Sequence, residues 1–154
     1  MVDRKPPRLA TDERETVLSL LQFQRDSLVR KLDGLDDADA RSSPVASGTS
    51  LAWIVAHLAV AEDTWAVQRF AGQPPSVDVA DPPTTGDAVA RYRAAWARTD
   101  AIARASGLDE RCRGDVADPP VTLRWVLLHL LEETARHVGH DDIIRELLDG
   151  QVGR

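Results

Sequence analysis

The sequence is poor in several features that mark large classes of protein. Its single cysteine, Cys112, has no partner for a disulfide within the chain. No apolar run approaches the roughly 20 residues that a membrane-spanning helix needs. The N-terminal stretch MVDRKPPRLATDERE lacks the apolar core of a secretory signal. We therefore expect a cytoplasmic protein that has no membrane partner.

Common catalytic motifs and an excess of basic charge are also missing. The sequence contains no GxGxxG, no P-loop and no GxSxG motif, which removes the commonest nucleotide-binding and hydrolase sites. Lys and Arg number 19 against 25 Asp and Glu, so the net charge is −6 at pH 7. A nucleic-acid interface normally carries a basic surface, and the charge therefore argues against a nucleic-acid partner.

Length and composition are those of a globular protein. The 154 residues suit one domain over residues 1–154, because a chain of this size buries about 68–70% of its unfolded surface. Three stretches rich in glycine and proline divide the chain, at residues 34–48, 72–83 and 107–120. Proline cannot continue a helix, so these stretches are predicted to be loops.

Between the loops, apolar residues recur at steps of three and four, which predicts helices. The predicted helices cover about Thr11–Leu32, Thr49–Ala71, Thr85–Ala105 and Thr122–Leu148, with Thr122 as an N-cap and Gly150 as a stop. No segment alternates strictly enough to predict a strand. The pattern indicates an all-α four-helix bundle, with loops long enough for one or more of them to cross over the bundle.

The four histidines fall on two of these helices, His57 on the second and the others on the last. In helical projection, the polar residues of the last helix that share about 80° of arc are His129, Glu133, His137 and His140. Apolar residues share or border that arc, so we expect these side chains to point toward the bundle interior. Buried there, they must pair with one another, bind water or bind a cation.

A metal site is one interpretation of this pattern. Glu133 and His137, spaced i,i+4, can present an oxygen and a nitrogen to one ion, and His57 can supply a third ligand. Three such ligands with an open position are typical of catalytic zinc, and imidazole also suits nickel, iron and copper. The alternative is an ordinary internal hydrogen-bonded pair, because E-x-x-x-H is common on helices.

Two segments resemble a known family. TSLAWIVAHLAVAEDTW over residues 49–65 and LRWVLLHLLEETARHVGHDDIIRELLDG over residues 123–150 are similar to the DinB-like superfamily. The likeness is to its actinobacterial branch related to mycothiol-dependent maleylpyruvate isomerase and mycothiol S-transferases. It implies a four-helix bundle that holds a divalent metal, with zinc or nickel favoured, through His57, Glu133 and His137. Asp141, paired with His137 in another register, ranks second.

The resemblance also implies a function. A metal-dependent transferase or isomerase of this kind brings a small thiol, implied to be mycothiol, to a small electrophile. His140 is the candidate to orient a ligand or to act as a general base. Two alternatives remain open: a metal-dependent hydrolase at the same site, and a non-catalytic bundle that binds metal or ligand. Homodimers are the commonest oligomers, so a homodimer is expected.

The remaining candidates are interpreted as structural. Tryptophans on helices usually belong to the core, which applies to Trp53, Trp65, Trp96 and Trp125. Glu62 is expected to be a solvated helix acid. The arginines on either side of Cys112 should favour its thiolate, but without a second cysteine nearby it is interpreted as an incidental loop thiol.

Overall fold

The computed structural model describes residues 5–114 and 119–152. Its helices are α1 (Glu13–Arg30), α2 (Asp37–Arg41), α3 (Leu51–Glu62), the π-helix π1 (Asp63–Phe70), α4 (Thr85–Ala105) and α5 (Leu123–Asp149). Apart from one isolated antiparallel bridge between Arg111 and Thr122, these described ranges hold no β-structure. The predicted all-α architecture is confirmed. None of the described helices has both the length and the apolar character needed to cross a membrane.

The helix boundaries follow capping residues that are visible in the sequence. The Thr122 side chain accepts a hydrogen bond from the backbone N–H of Trp125 and so starts α5. Thr84 and Asp87 form a reciprocal capping box at the start of α4. At the other end of α5, Gly150 has φ 74°, in the left-handed region where glycine is favoured. The bounds of α4 and α5 therefore agree closely with their predicted ranges.

The second predicted helix differs from a single α-helix. Its first part is the α-helix α3, which ends at Glu62, and the chain continues directly into the π-helix π1. A π-helix has wider turns than an α-helix and occurs mostly as a short segment within one. The change coincides with two buried acids, Glu62 and Asp63. Asp63 accepts hydrogen bonds from the backbone N–H and the hydroxyl of Ser76 in the following loop. The short helix α2, which begins after the Asp36 cap, lies within the first predicted loop.

Contacts near the helix ends show that α1 and α5 run parallel. Arg124, near the start of α5, donates to Glu13 at the start of α1 at 2.6 Å. Lys31, directly after α1, pairs with Asp142 in the last third of α5. These two ion pairs join equivalent ends of the two helices, so α1 and α5 point in the same direction.

The other two long segments run the opposite way. Arg104, at the end of α4, lies 3.6 Å from Glu15 at the start of α1. His57 of α3 meets Glu133, whereas Trp65 of π1 meets Trp125 near the start of α5. The order along the chain is therefore up, down, down, up. The connection between π1 and α4, residues 71–84, returns along the bundle, which confirms the expectation that a loop crosses over.

A buried ion pair lies between the two halves of the core. Arg25 donates through Nε and Nη2 to the two carboxylate oxygens of Glu62 at 2.7 and 2.8 Å. Its Nη1 donates to Asp100 of α4 at 2.8 Å. Arg25 is 0% exposed and Glu62 is 1% exposed. Glu62 is thus the buried partner of an arginine, and the expectation of a solvated acid is wrong.

Removal of this pair should strongly destabilise the fold. Glu62→Ala leaves the Arg25 charge buried with only Asp100 as an acidic partner. We expect the free energy of unfolding to fall by about 3–5 kcal/mol, measured by urea denaturation. Glu15→Ala, which removes a carboxylate from an exposed pair with Arg104, is the matched control and should cost about 0–1 kcal/mol. Equal losses in the two variants would contradict a central role for the buried pair.

Candidate metal centre

The structure brings three of the predicted site residues together. His57 lies on α3, and Glu133 and His137 lie one turn apart on α5. His57 Nε2 is 3.1 Å from Glu133 Oε1, and His137 Nε2 is 3.4 Å from the same oxygen. One ligand atom from each residue lies within 4.8 Å of the others. The spacing on α5 pairs Glu133 with His137, and the packing of α3 against α5 adds His57 to the cluster.

The cluster has dimensions that suit a divalent cation. Ligand atoms about 2.0–2.1 Å from a tetrahedral zinc ion lie roughly 3.3–3.4 Å from one another. The two contacts at Glu133 Oε1, 3.1 and 3.4 Å, are close to that separation. Two imidazoles and a carboxylate are also a typical donor set for a catalytic zinc site. The side chain of His57 is 35% exposed and that of His137 is 12% exposed, so the cluster has one side open to solvent.

Trp53 packs directly against this cluster. Its ring stacks on the His57 ring at a centroid distance of 5.0 Å and an interplanar angle of 5°. It also lies 6.4 Å from the His137 ring. Trp53 is 49% exposed, and the expectation of a core position is wrong for this residue. The stacking holds the plane of the His57 ring beside Glu133.

His140 lies at the exposed rim of the cluster. Its ring meets the His137 ring edge-on at a centroid distance of 5.4 Å. A concavity of about 240 Å³ adjoins it, lined by Val45, Ser47, Thr49, His140, Ile143 and Ile144. The expectation that every polar residue of this arc points inward is therefore wrong for His140, which is exposed and borders this concavity. Contact with solvent spares His140 the cost of burial.

His129 belongs to a separate aromatic cluster. Its ring stacks on Trp125 at 4.9 Å and meets Trp65 at 4.6 Å. The Arg69 guanidinium lies over the Trp65 ring, 4.1 Å from its centroid. Trp125 is 43% exposed, so it is the second tryptophan that the sequence wrongly assigned to the core. His129 is therefore a natural control for experiments on the three-residue cluster.

The surroundings of the cluster lower the pKa values of Glu133 and His137. Burial acts to raise the pKa of Glu133, but the hydrogen bond with His57 and the nearby histidines outweigh it, and the pKa is lowered. The pKa of His137 is lowered by burial first and by repulsion from His57 second, with Glu133 partly opposing. Metal ligands bind as carboxylate and neutral imidazole, so both shifts favour the binding forms.

Two other sequence candidates lie elsewhere. Asp141 is fully buried on α5, and burial raises the pKa of its carboxyl well above the usual range, with Asp142 adding repulsion and Lys31 opposing. Cys112 is also buried, and burial raises the pKa of its thiol despite the opposing charge of Arg69. The expectation that neighbouring arginines favour a thiolate at Cys112 is therefore wrong.

Comparison with known families matches residues 16–150 to the mycothiol S-transferase family. The chain belongs to this family. Because it is a DinB-like family, the predicted resemblance is confirmed. Solved structures also match this chain, and one of them is similar over most of its length.

That structure is a conserved protein from Enterococcus faecalis, which is 17% identical to this mycothiol S-transferase family member. The match covers 92% of this chain and 100% of the other, with a TM-score of 0.67. At this identity the likeness shows the fold alone. The search for relatives among curated proteins gives no match.

The charges around His137 can be tested by two substitutions with opposite effects. His57→Gln removes the repulsion that lowers the His137 pKa, so this pKa should rise. Glu133→Gln removes the carboxylate that raises it, so the pKa should fall further. The measurement is the pH dependence of the His137 ring proton signals by NMR, in chelator-treated protein. Shifts of the same sign in both variants would contradict the geometry of the cluster.

Proposed function

We propose that the protein is a metal-dependent mycothiol S-transferase whose ion is held by His57, Glu133 and His137. The observation that carries the proposal is the convergence of these three ligand atoms within 4.8 Å, in a chain of the mycothiol S-transferase family. Two imidazoles and a carboxylate favour zinc or nickel among divalent cations. The proposed substrates are mycothiol and a small electrophile.

The proposed chemistry is activation of a thiol. A divalent cation, when bound, lowers the pKa of a thiol in its open position, as it does for water or cysteine. The chain's residues supply the geometry, since Trp53 fixes the His57 ring and the open side of the cluster admits substrate. The sulfur then forms a bond to the electrophilic carbon, and the electron pair of the broken bond leaves with the departing group.

His140 is the proposed acceptor of the thiol proton. It is exposed, lies beside His137 and borders the concavity next to the cluster. A histidine is suited to this role because its ordinary pKa of about 6.5 lies near neutral pH.

The expectations of one domain over residues 1–154, a homodimer and a cytoplasmic location stay predictions.

Metal binding should depend on the three proposed ligands. Replacing His57, Glu133 or His137 with alanine should lower zinc affinity beyond the roughly 10–100-fold typical of losing an outer-shell partner. The affinity is measured by competition with a chromophoric chelator, and circular dichroism checks helix content. His129→Ala is the control, because His129 packs against Trp65 and Trp125 instead. If His129→Ala abolished binding and Glu133→Ala did not, the ligand assignment would be wrong.

Turnover should require both metal and thiol. Metal-loaded protein mixed with mycothiol and a small alkylating electrophile should form the thioether, measured by mass spectrometry. Chelation should stop the reaction, and added zinc should restore it, but not in His57→Ala. Conversion of the electrophile without thiol would support the hydrolase alternative. Metal retention without conversion across a panel of electrophiles would support a non-catalytic bundle.

A further inference from the structure

The two ring nitrogens of His137 have different surroundings. Nε2 faces Glu133 and belongs to the three-residue cluster. Nδ1 is buried, and no hydrogen-bond partner reaches it among residues 5–114 and 119–152. A neutral imidazole carries one proton, so a ring that offers Nε2 to a cation must hold its proton on Nδ1. This buried N–H then needs an acceptor, because an unsatisfied donor costs free energy.

An acceptor without a donor lies on the same helix. Asp141 is 0% exposed, and neither of its carboxylate oxygens has a hydrogen-bond partner within the described part of the chain. The ammonium group of Lys31 pairs with Asp142. A buried carboxylate without a hydrogen-bond donor is costly. The three-residue cluster does not include this side chain.

Helix spacing places the two residues on adjacent turns of α5. Asp141 follows His137 by four residues on α5, and residues at this spacing are neighbours on one face. Side chains on a helix lean toward its N-terminus, so the Asp141 carboxylate leans toward the turn that carries His137. A change of side-chain rotamer that brings the two groups together would satisfy both with one hydrogen bond.

We propose that Asp141 is a positioning residue that accepts a hydrogen bond from His137 Nδ1–H and so holds Nε2 toward the metal. Carboxylate–histidine–metal arrangements of this kind fix the tautomer and the ring orientation of a ligand. The inference rests on the proposed metal site for its purpose, but formation of the hydrogen bond itself needs no ion, so it is tested in metal-free protein.

Tyr92 is a rival donor to Asp141. Burial raises its pKa most strongly, and the Asp141 charge is near enough to raise the pKa of Tyr92 further. Its hydroxyl and that of Thr134 are also buried and have no partner in the described ranges. A carboxylate has about four acceptor positions, so donation from a hydroxyl leaves room for His137. The experiment must therefore separate the effect of Asp141 on His137 from its effect on Tyr92.

The test measures the His137 tautomer in metal-free protein. Ring nitrogen chemical shifts by NMR, at a pH where the ring is neutral, should show the proton on Nδ1 in the wild type. Asp141→Asn keeps an acceptor and should retain that tautomer, whereas Asp141→Ala should move the population toward Nε2–H. Tyr92→Phe should leave it unchanged. A wild-type proton on Nε2, or an equal change in Tyr92→Phe and Asp141→Ala, would overturn the proposal.

Zinc affinity provides a second measurement. Asp141→Ala should lower it about 10–100-fold, and Asp141→Asn should restore most of it, which a purely structural role would not produce. Unchanged zinc affinity in Asp141→Ala would overturn the positioning role. Wild-type protein that shows the Asp141-dependent tautomer but binds no metal would refute the proposed function while leaving the hydrogen bond intact.

Discussion

Arg25 and Glu62 meet where the two halves of the bundle core join, and neither side chain reaches solvent. Through this contact and the one with Asp100, α1 is tied to α3 and α4 at once. Charges buried in this way are tolerated only when they are fully paired, so the contact restricts how α3 can rotate about its axis. His57 lies five residues before Glu62, or about 140° around the helix. Fixing Glu62 toward the interior therefore directs His57 toward Glu133 on α5.

The three-residue cluster is partly buried and partly open to solvent. Burial lowers the pKa of His137. For Glu133 burial acts the other way, but the hydrogen bond with His57 and the nearby histidines outweigh it, and the pKa is lowered. His57 remains about one-third exposed under the cover of Trp53. A fully buried cluster would admit no substrate, and a fully exposed one would leave the rings free to rotate. The half-buried arrangement holds three ligand atoms in place while one side stays open.

Capping residues and helical spacing in the sequence predicted the helix ends and the pairing of residues one turn apart. The ends of α4 and α5 are determined by Thr84, Thr122 and Gly150, and Glu133 and His137 pair because they are one helical turn apart. The burial of Glu62 could not be predicted in this way, because its partner lies 37 residues earlier in the chain. The exposure of Trp53 and of His140 depends on how far each helix rotates toward its neighbours, which helical spacing alone does not determine.

The crossover between π1 and α4 also limits how the chain can vary in length. Residues 71–84 must return along α4, whose 21 residues extend about 30 Å. Fully extended, that segment reaches roughly 45–50 Å. The hydrogen bond of Ser76 to Asp63 keeps the first part of the segment beside π1, which shortens its reach. Deletion of more than a few residues would pull α4 out of register with α3, whereas an insertion would only form a surface bulge. Natural length variation in this connection should therefore be one-sided, toward longer segments.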